Sequence, residues 1–164
     1  MAPVSQRLEV VGVLRRAGIE ARLVPGGGME FVWLQRAEQR APALEVLRGI
    51  EHVRAWPSDA MPEALRSYRS GRSGHITLLT EPPYELYPPR PTAASQASRG
   101  SHGFDPALSE MGAIFYAMGR GVPPGQSLDE VLATDVASTI TALLGIEAPR
   151  DSEGSPVFAR DAKD

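Results

Sequence analysis

Residues 29–34 read MEFVWL, and this run of aromatic and β-branched residues predicts a β-strand. The preceding residues 25–28 read PGGG and predict a turn, because proline and glycine interrupt regular structure. Residues 19–24 predict another strand, so the turn joins two strands as a hairpin. The glycine run lacks the lysine of a phosphate-binding loop and does not lead from a strand into a helix, which favours the hairpin turn.

The segments around this hairpin alternate between helix and strand. Apolar residues at helical spacing are followed by a glycine stop at Gly18 and again at Gly49. The apolar run HITLL at 75–79 suits a buried strand. Such alternation indicates an α/β fold with a helix layer on a sheet layer. In chain order, the predictions outside the hairpin are helix 5–17, helix 41–47, strand 52–55, a short helix 62–68 and strand 75–79.

The second half of the chain is organised differently. Residues 81–101 are rich in proline and serine without a hydrophobic period, which predicts a long loop. Residues 111–117 read MGAIFYA and predict a strand, and the glycine-dense stretch 119–125 predicts turns. We therefore divide the chain into an α/β segment 1–80, a Pro/Ser-rich loop 81–101, a motif-bearing core segment 102–146 and a C-terminal tail 147–164.

The last predicted helix begins at Asp135 and is ended by Gly145. The Asp135 carboxylate is expected to cap the free amides of the first turn. Helical spacing predicts a buried stripe formed by Val136, Ile140, Leu143 and Leu144. The tail beyond residue 146 is polar and broken by proline, so it is expected to wrap over the surface without adding core.

Composition excludes several classes of function. The formal net charge is -3 and the arginines are scattered, so binding to nucleic acid is not expected. The chain has no cysteine, and any metal must therefore be bound by nitrogen and oxygen ligands. No apolar run approaches the roughly 20 residues of a membrane helix, and no signal-peptide core follows Met1. As written, the chain is expected to be soluble and cytoplasmic.

The chemically most informative stretch is GSHGFDP at residues 100–106, followed by AIF at 113–115 and GRG at 119–121. This order resembles the C-terminal motifs of type I phosphodiesterases and nucleotide pyrophosphatases, which belong to the alkaline phosphatase superfamily. Residues 135–137 and 143–146 also resemble the closing helix of that family. The resemblance implies the C-terminal portion of an alkaline-phosphatase-like sheet-and-helix sandwich, incomplete on its own.

The same resemblance implies that His102 is a zinc ligand, as the histidine of the family's His-Gly-Tyr-Asp motif is. Asp105 could orient the His102 ring or cap a turn, and the turn is favoured. Phe104 stands where the family commonly has tyrosine, which removes one hydroxyl near the phosphate. His52 and His75 lie outside the motif and are expected to be structural.

Most of the resembled catalytic site is absent from this sequence. A two-zinc hydrolase needs roughly three protein ligands for each ion, whereas this chain has three histidines and no Asp-x-x-x-His pair. No catalytic residue is therefore assigned. We expect a fragment that is inactive alone. Its partner would be a missing N-terminal half or a homologous chain, which would complete the zinc site. The complete enzyme would act on a phosphate ester. Relatives are often exported. The alternative is a non-catalytic α/β binding or assembly module of the same descent.

Overall fold

The structure is a computed structural model, and it describes residues 3–24, 26–65, 68–86 and 100–158. The chain divides into two compact units, one up to Gly112 and one from Ala113 onwards. This boundary falls inside the segment 102–146, which the sequence indicates as one core segment. The described residues contain no helix that is long and apolar enough to cross a membrane.

The predicted hairpin forms the start of the main sheet in the first unit. Strands β2 (Ala21–Val24) and β3 (Met29–Leu34) pair antiparallel, with Val24 opposite Phe31. Strand β3 has the predicted bounds, because its alternating side chains give it one buried face and one partly exposed face.

Two further strands complete this sheet. Strands β4 (Arg54–Pro57) and β5 (Ile76–Leu79) give a four-stranded antiparallel sheet in the order β2-β3-β5-β4. All four residues of β5 are buried, as the apolar run predicts. Strand β4 begins two residues later than predicted, because His52 has a φ of 65° and cannot continue a strand.

The N-terminal prediction of one helix over 5–17 is wrong in its first half. Residues Gln6–Leu8 form strand β1, which pairs in parallel with strand β6 (Tyr84–Leu86). Only Val11–Arg16 is helical, as helix α1. Helical spacing continues through this segment, but pairing with β6 determines the conformation of its first residues. Strand β6 also lies within 81–101, where the sequence indicates only a loop, and residues 87–99 lie outside the described residues.

The hydrophobic core lies between the helices and one face of the four-stranded sheet. Helix α2 (Arg40–Arg48) buries Leu44 and Leu47, and it packs against β4 and α1. The predicted helix 41–47 is therefore confirmed, with Gly49 at its end. Over 62–68 the structure has a short 3-10 helix, Glu63–Leu65, and residues 66–67 are outside the described set. The buried core consists of Val10, Leu14, Ile19, Val32, Leu34, Ala43, Leu44, Leu47, Val53, Ala55, Ile76, Leu78 and Leu86.

The second unit contains one helix, α3 (Asp135–Leu144), among its described residues. Its predicted bounds are confirmed, and Gly145 ends it with a φ of 68°. The predicted cap is wrong, because the Asp135 carboxylate accepts hydrogen bonds from the amides of Leu132 and Ser155 instead.

The buried face of α3 also differs from the prediction. Ser138 and Thr139 are buried, whereas Ile140 and Leu144 of the predicted stripe are 52% and 62% exposed. The reason lies in the tail, whose Gly154 and Val157 bond to the hydroxyls of Ser138 and Thr139 and cover that side. The tail thus wraps over the helix, as expected, but it also buries Phe158, which the expectation of a tail without core residues did not include.

The predicted strand over 111–117 is absent. Residues 112–118 have no regular secondary structure, although the burial of residues 115–118 alternates as it would in a strand. A strand forms only when a neighbouring strand takes up its backbone hydrogen bonds, and the described residues offer this segment no such neighbour.

Candidate functional site

The motif loop, residues 100–106, is anchored to the hairpin turn between β2 and β3. The amide of Gly28 donates a hydrogen bond of 2.9 Å to the carbonyl of His102. The same turn is tied to the sheet, because Thr80 donates to the carbonyl of Gly28 over 2.8 Å. The backbone of His102 is therefore held against the main sheet of the first unit.

Glycines make this close approach possible. A Cβ on Gly27 would collide with the carbonyl of His102, and one on Gly28 would collide with the ring of Phe104. Gly103 has a φ of 74°, and a Cβ there would collide with the carbonyl of Gly26. The sequence predicts only a hairpin turn for the glycine run. The glycine run has a second role that was not predicted, which is to make room for the motif loop. The sequence signal for this role is three glycines where a two-residue hairpin needs one or two.

The three histidines differ in how their rings are used. His75 accepts a hydrogen bond from the amide of Leu34 at its Nδ1 over 3.0 Å. His52 stacks on Tyr84 at a ring separation of 4.0 Å. Both rings therefore have structural partners, as expected. The ring of His102 is exposed and has no hydrogen bond, ion pair or ring contact among the described residues.

The side chains next to His102 are engaged elsewhere. Asp105 accepts a hydrogen bond from the amide of Ala107 over 3.0 Å, which is the turn-capping role, and its other oxygen lies 3.4 Å from Arg54. Phe104 is buried in a small cluster with Val4, Leu108 and Met111. The position that carries tyrosine in the resembled family is thus filled here by a ring that packs inward.

A pocket of about 340 Å³ lies in the first unit between the start of β4 and residues 80–84. Arg54 lines it and also contacts Asp105. The guanidinium of Arg54 lies 3.1 Å from Glu81 as well, so its charge is already balanced by two carboxylates. The described lining of the pocket therefore offers a phosphate group no unmatched arginine charge.

The described residues do not form a complete zinc site. No group of three or more histidine, aspartate or glutamate side chains in the described part of the chain could hold a metal ion. A zinc ion needs about three protein ligands, and His102 can supply one nitrogen. The exposed and uncommitted ring fits the role of a single ligand, and nothing in the described chain supplies the rest.

A buried glutamate, Glu30, has the largest pKa shift given for the described residues, and the sequence analysis missed it. Glu30 is fully buried in β3, and neither carboxylate oxygen has a hydrogen-bond partner in the described structure. Burial raises the pKa of Glu30 from 4.5 to about 8, and the nearby Glu85 adds to this. Glu85 in turn is bonded to Arg7 over 2.7 Å. The only sequence signal is one acidic residue at a core-facing position of an otherwise apolar strand.

Comparison with known proteins gives distant similarities. No family model matches the chain. A calcium-transporting ATPase of Myroides odoratus is 29% identical over 76% of this chain and 23% of its own length. Alkaline phosphatase PhoV of Synechococcus elongatus is 29% identical over 62% of this chain and 17% of its own. Ectonucleotide pyrophosphatase/phosphodiesterase family member 1 of Mus musculus is 27% identical over 84% of this chain and 15% of its own.

The chain thus spans less than a quarter of the length of each of these relatives. The similarity to the phosphatase and to the pyrophosphatase/phosphodiesterase supports a distant relation to the alkaline phosphatase superfamily. The fold agrees with this relation at the level of an α/β architecture.

Proposed function

We propose that this chain is the C-terminal part of a zinc-dependent phosphodiesterase or nucleotide-pyrophosphatase-like hydrolase, to which it contributes His102 as a metal ligand. The observation that carries the proposal is the contrast among the three histidines. His75 and His52 are used in packing, whereas His102 has a fixed backbone and an uncommitted ring. The distant relatives support the class of reaction.

The residues of this chain act by positioning. The hairpin glycines and the amide of Gly28 hold the backbone of His102, which limits the positions that its imidazole can reach. Asp105 stabilises the following turn and does not bond to the imidazole. Bound zinc would polarise the phosphate ester and activate the attacking group. In this proposal the nucleophile and the remaining ligands come from another polypeptide, since the described residues bring no group of three possible ligands together. The chain alone is therefore inactive.

Zinc binding tests the role of His102 directly. The purified chain is titrated with zinc in competition with a chromogenic chelator, and we expect weak binding. Replacing His102 with alanine should lower the affinity by about tenfold or more, since the change removes a ligand nitrogen. The matched control is His52→Asn, which removes an imidazole yet tolerates the positive φ at that position. Equal affinities for both variants would contradict the assignment and favour the non-catalytic module.

Activity and gene context test the proposed incompleteness. The chain alone should show no hydrolysis of bis-p-nitrophenyl phosphate with zinc present, and robust turnover would overturn this part of the proposal. Translation of the DNA preceding Met1 should reveal a threonine or serine nucleophile and an Asp-x-x-x-His pair. If they are found, His102→Ala should be repeated in the reconstituted protein.

A further inference from the structure

Two buried carboxyl groups interact in the first unit. Glu30 on β3 and Glu85 on β6 have exposed fractions of 0% and 1%. Glu85 is ion-paired with Arg7 over 2.7 Å, whereas neither oxygen of Glu30 has a hydrogen-bond partner in the described structure. Strand β5 places the uncharged Leu78 opposite Glu30, and the charged neighbour that acts on Glu30 is Glu85. Ionisation of Glu30 therefore buries a second negative charge near Glu85 with no described donor to stabilise it.

The N-terminal segment 4–8, which we call the strap, covers part of this acidic pair. The Arg7 side chain is 21% exposed, and it contacts the Glu85 carboxylate, which is 1% exposed. The strap therefore lies between Glu85 and solvent at this point. At its other end the strap buries Val4 against Phe104 of the motif loop. Detachment of the strap would thus admit water to the acidic pair and uncover Phe104.

Few backbone contacts hold the strap in place. Its strand β1 pairs with β6 over three residues, in a sheet of only two strands. The amides of Ser5 and Gln6 add hydrogen bonds to the carbonyl of Pro83. An isolated pair of strands is marginally stable, and terminal segments open more easily than central strands. The four-stranded sheet, in the order β2-β3-β5-β4, does not include β1, so the strap can detach while the main sheet stays folded.

We propose that the strap is a proton-controlled closure, which stays docked while Glu30 holds its proton and detaches locally when Glu30 ionises. In the docked state, burial and the nearby Glu85 raise the pKa of Glu30 from 4.5 to about 8. Water reaches Glu30 in the detached state and returns its pKa towards 4.5, so loss of the proton favours detachment. The ratio of detached to docked protein should therefore rise about tenfold per pH unit between pH 4.5 and about 8, and then level off. The inference does not depend on the proposed hydrolase function, because it uses only contacts within the first unit.

Hydrogen exchange tests the closure in the intact chain. The amide of Gln6 donates to the carbonyl of Pro83 over 3.1 Å and reports on the strap, and that of His75 donates to Val32 over 2.8 Å and reports on the main sheet. After correction for the intrinsic exchange rate, protection at Gln6 should fall about tenfold per pH unit between pH 5 and 8. Urea below the unfolding transition should accelerate exchange at His75 but not at Gln6, because local detachment exposes little surface. Glu30→Gln should remove the pH dependence at Gln6.

Three results of this exchange experiment would overturn the proposal. Protection at Gln6 that does not change with pH would show that Glu30 does not control the strap. The same urea dependence at Gln6 and His75 would show that the strap opens only when the whole first unit unfolds. An unprotected Gln6 amide at pH 5 would show that the strap is not docked even when Glu30 is protonated.

A single cysteine tests whether detachment uncovers the motif loop, since the natural chain contains none. Val4→Cys places a thiol at a position that is 7% exposed and packed against Phe104. Its rate of reaction with a soluble disulfide reagent is measured with Glu30 present and with Glu30→Gln, so that the ordinary effect of pH on the thiol cancels in the ratio. The rate with Glu30, divided by the rate with Glu30→Gln, should grow about tenfold per pH unit from pH 6 to 8. A ratio that stays constant would contradict detachment of the strap at Val4.

Discussion

The replacement of Glu30 by glutamine should stabilise this protein, and the gain should depend on pH. Glu30 is fully buried and its carboxylate oxygens are unpartnered in the described structure, so the charged form is strongly disfavoured there. Burial and the nearby Glu85 raise the pKa of Glu30 from 4.5 to about 8. The native protein therefore keeps a proton that the unfolded chain releases.

The sign and size of the effect follow from proton linkage. Below pH 4.5 both states hold the proton, and the group has no pH-dependent effect. Between pH 4.5 and about 8 only the unfolded state is ionised, and the free energy of unfolding falls by about 1.4 kcal/mol per pH unit. The loss reaches about 3 kcal/mol at pH 7 and about 5 kcal/mol above pH 8. Glutamine has nearly the same shape and cannot ionise, so Glu30→Gln removes this loss.

Urea unfolding of the natural protein and of Glu30→Gln from pH 4.5 to 9 measures the difference between their free energies of unfolding. At pH 4.5 the variant and the natural protein should have the same free energy of unfolding. With rising pH the free energy of unfolding of the variant should exceed that of the natural protein by a growing amount, up to about pH 8. Glu38→Gln is the control, because Glu38 is exposed and its replacement should produce no such trend. A stability difference that does not change between pH 5 and 8 would refute the assignment of a raised pKa to Glu30.

Two further substitutions test the contacts that support the first unit. Arg7→Met should lower the free energy of unfolding by about 3–5 kcal/mol, because it leaves the buried Glu85 without its 2.7 Å ion pair. The double variant Arg7→Met with Glu85→Gln should recover most of this free energy, as measured by urea unfolding. Gly103→Ala should destabilise the protein more than Gly71→Ala, since both positions have nearly the same φ, 74° and 72°, but only Gly103 faces a carbonyl. Equal melting temperatures for these two glycine variants would show that the close contact of Gly103 with the carbonyl of Gly26 does not exclude a side chain at position 103.

The sequence predicts the main sheet well because its signals are local. The hairpin of β2 and β3 follows from a turn between two β-rich runs, and β5 follows from a continuous apolar run. The strand β1 was missed because its conformation depends on β6, almost 80 residues away, and helical spacing of its apolar residues gave a competing signal. The burial of Glu30 could not be predicted, since a single acidic residue in a strand is more often exposed.

The candidate site was predicted in part. The motif identifies His102, but only the structure places its backbone against Gly28, and only the structure shows that Phe104 points into a cluster with Val4. The capping role of Asp105 follows from its position before a turn. The contact of Asp105 with Arg54 joins residues 51 positions apart, and no local pattern predicts it.

The predictions that failed in the second half of the chain share a physical cause. A strand was predicted over 111–117 and a buried stripe that included Ile140 and Leu144, but Ile114, Tyr116, Ile140 and Leu144 are exposed instead. Periodicity predicts burial on the assumption that a partner surface exists, and the described residues do not supply that surface. The His102 ring also lacks any partner among the described residues. An added polypeptide that supplied the missing surface would slow hydrogen exchange at the amides of 113–118.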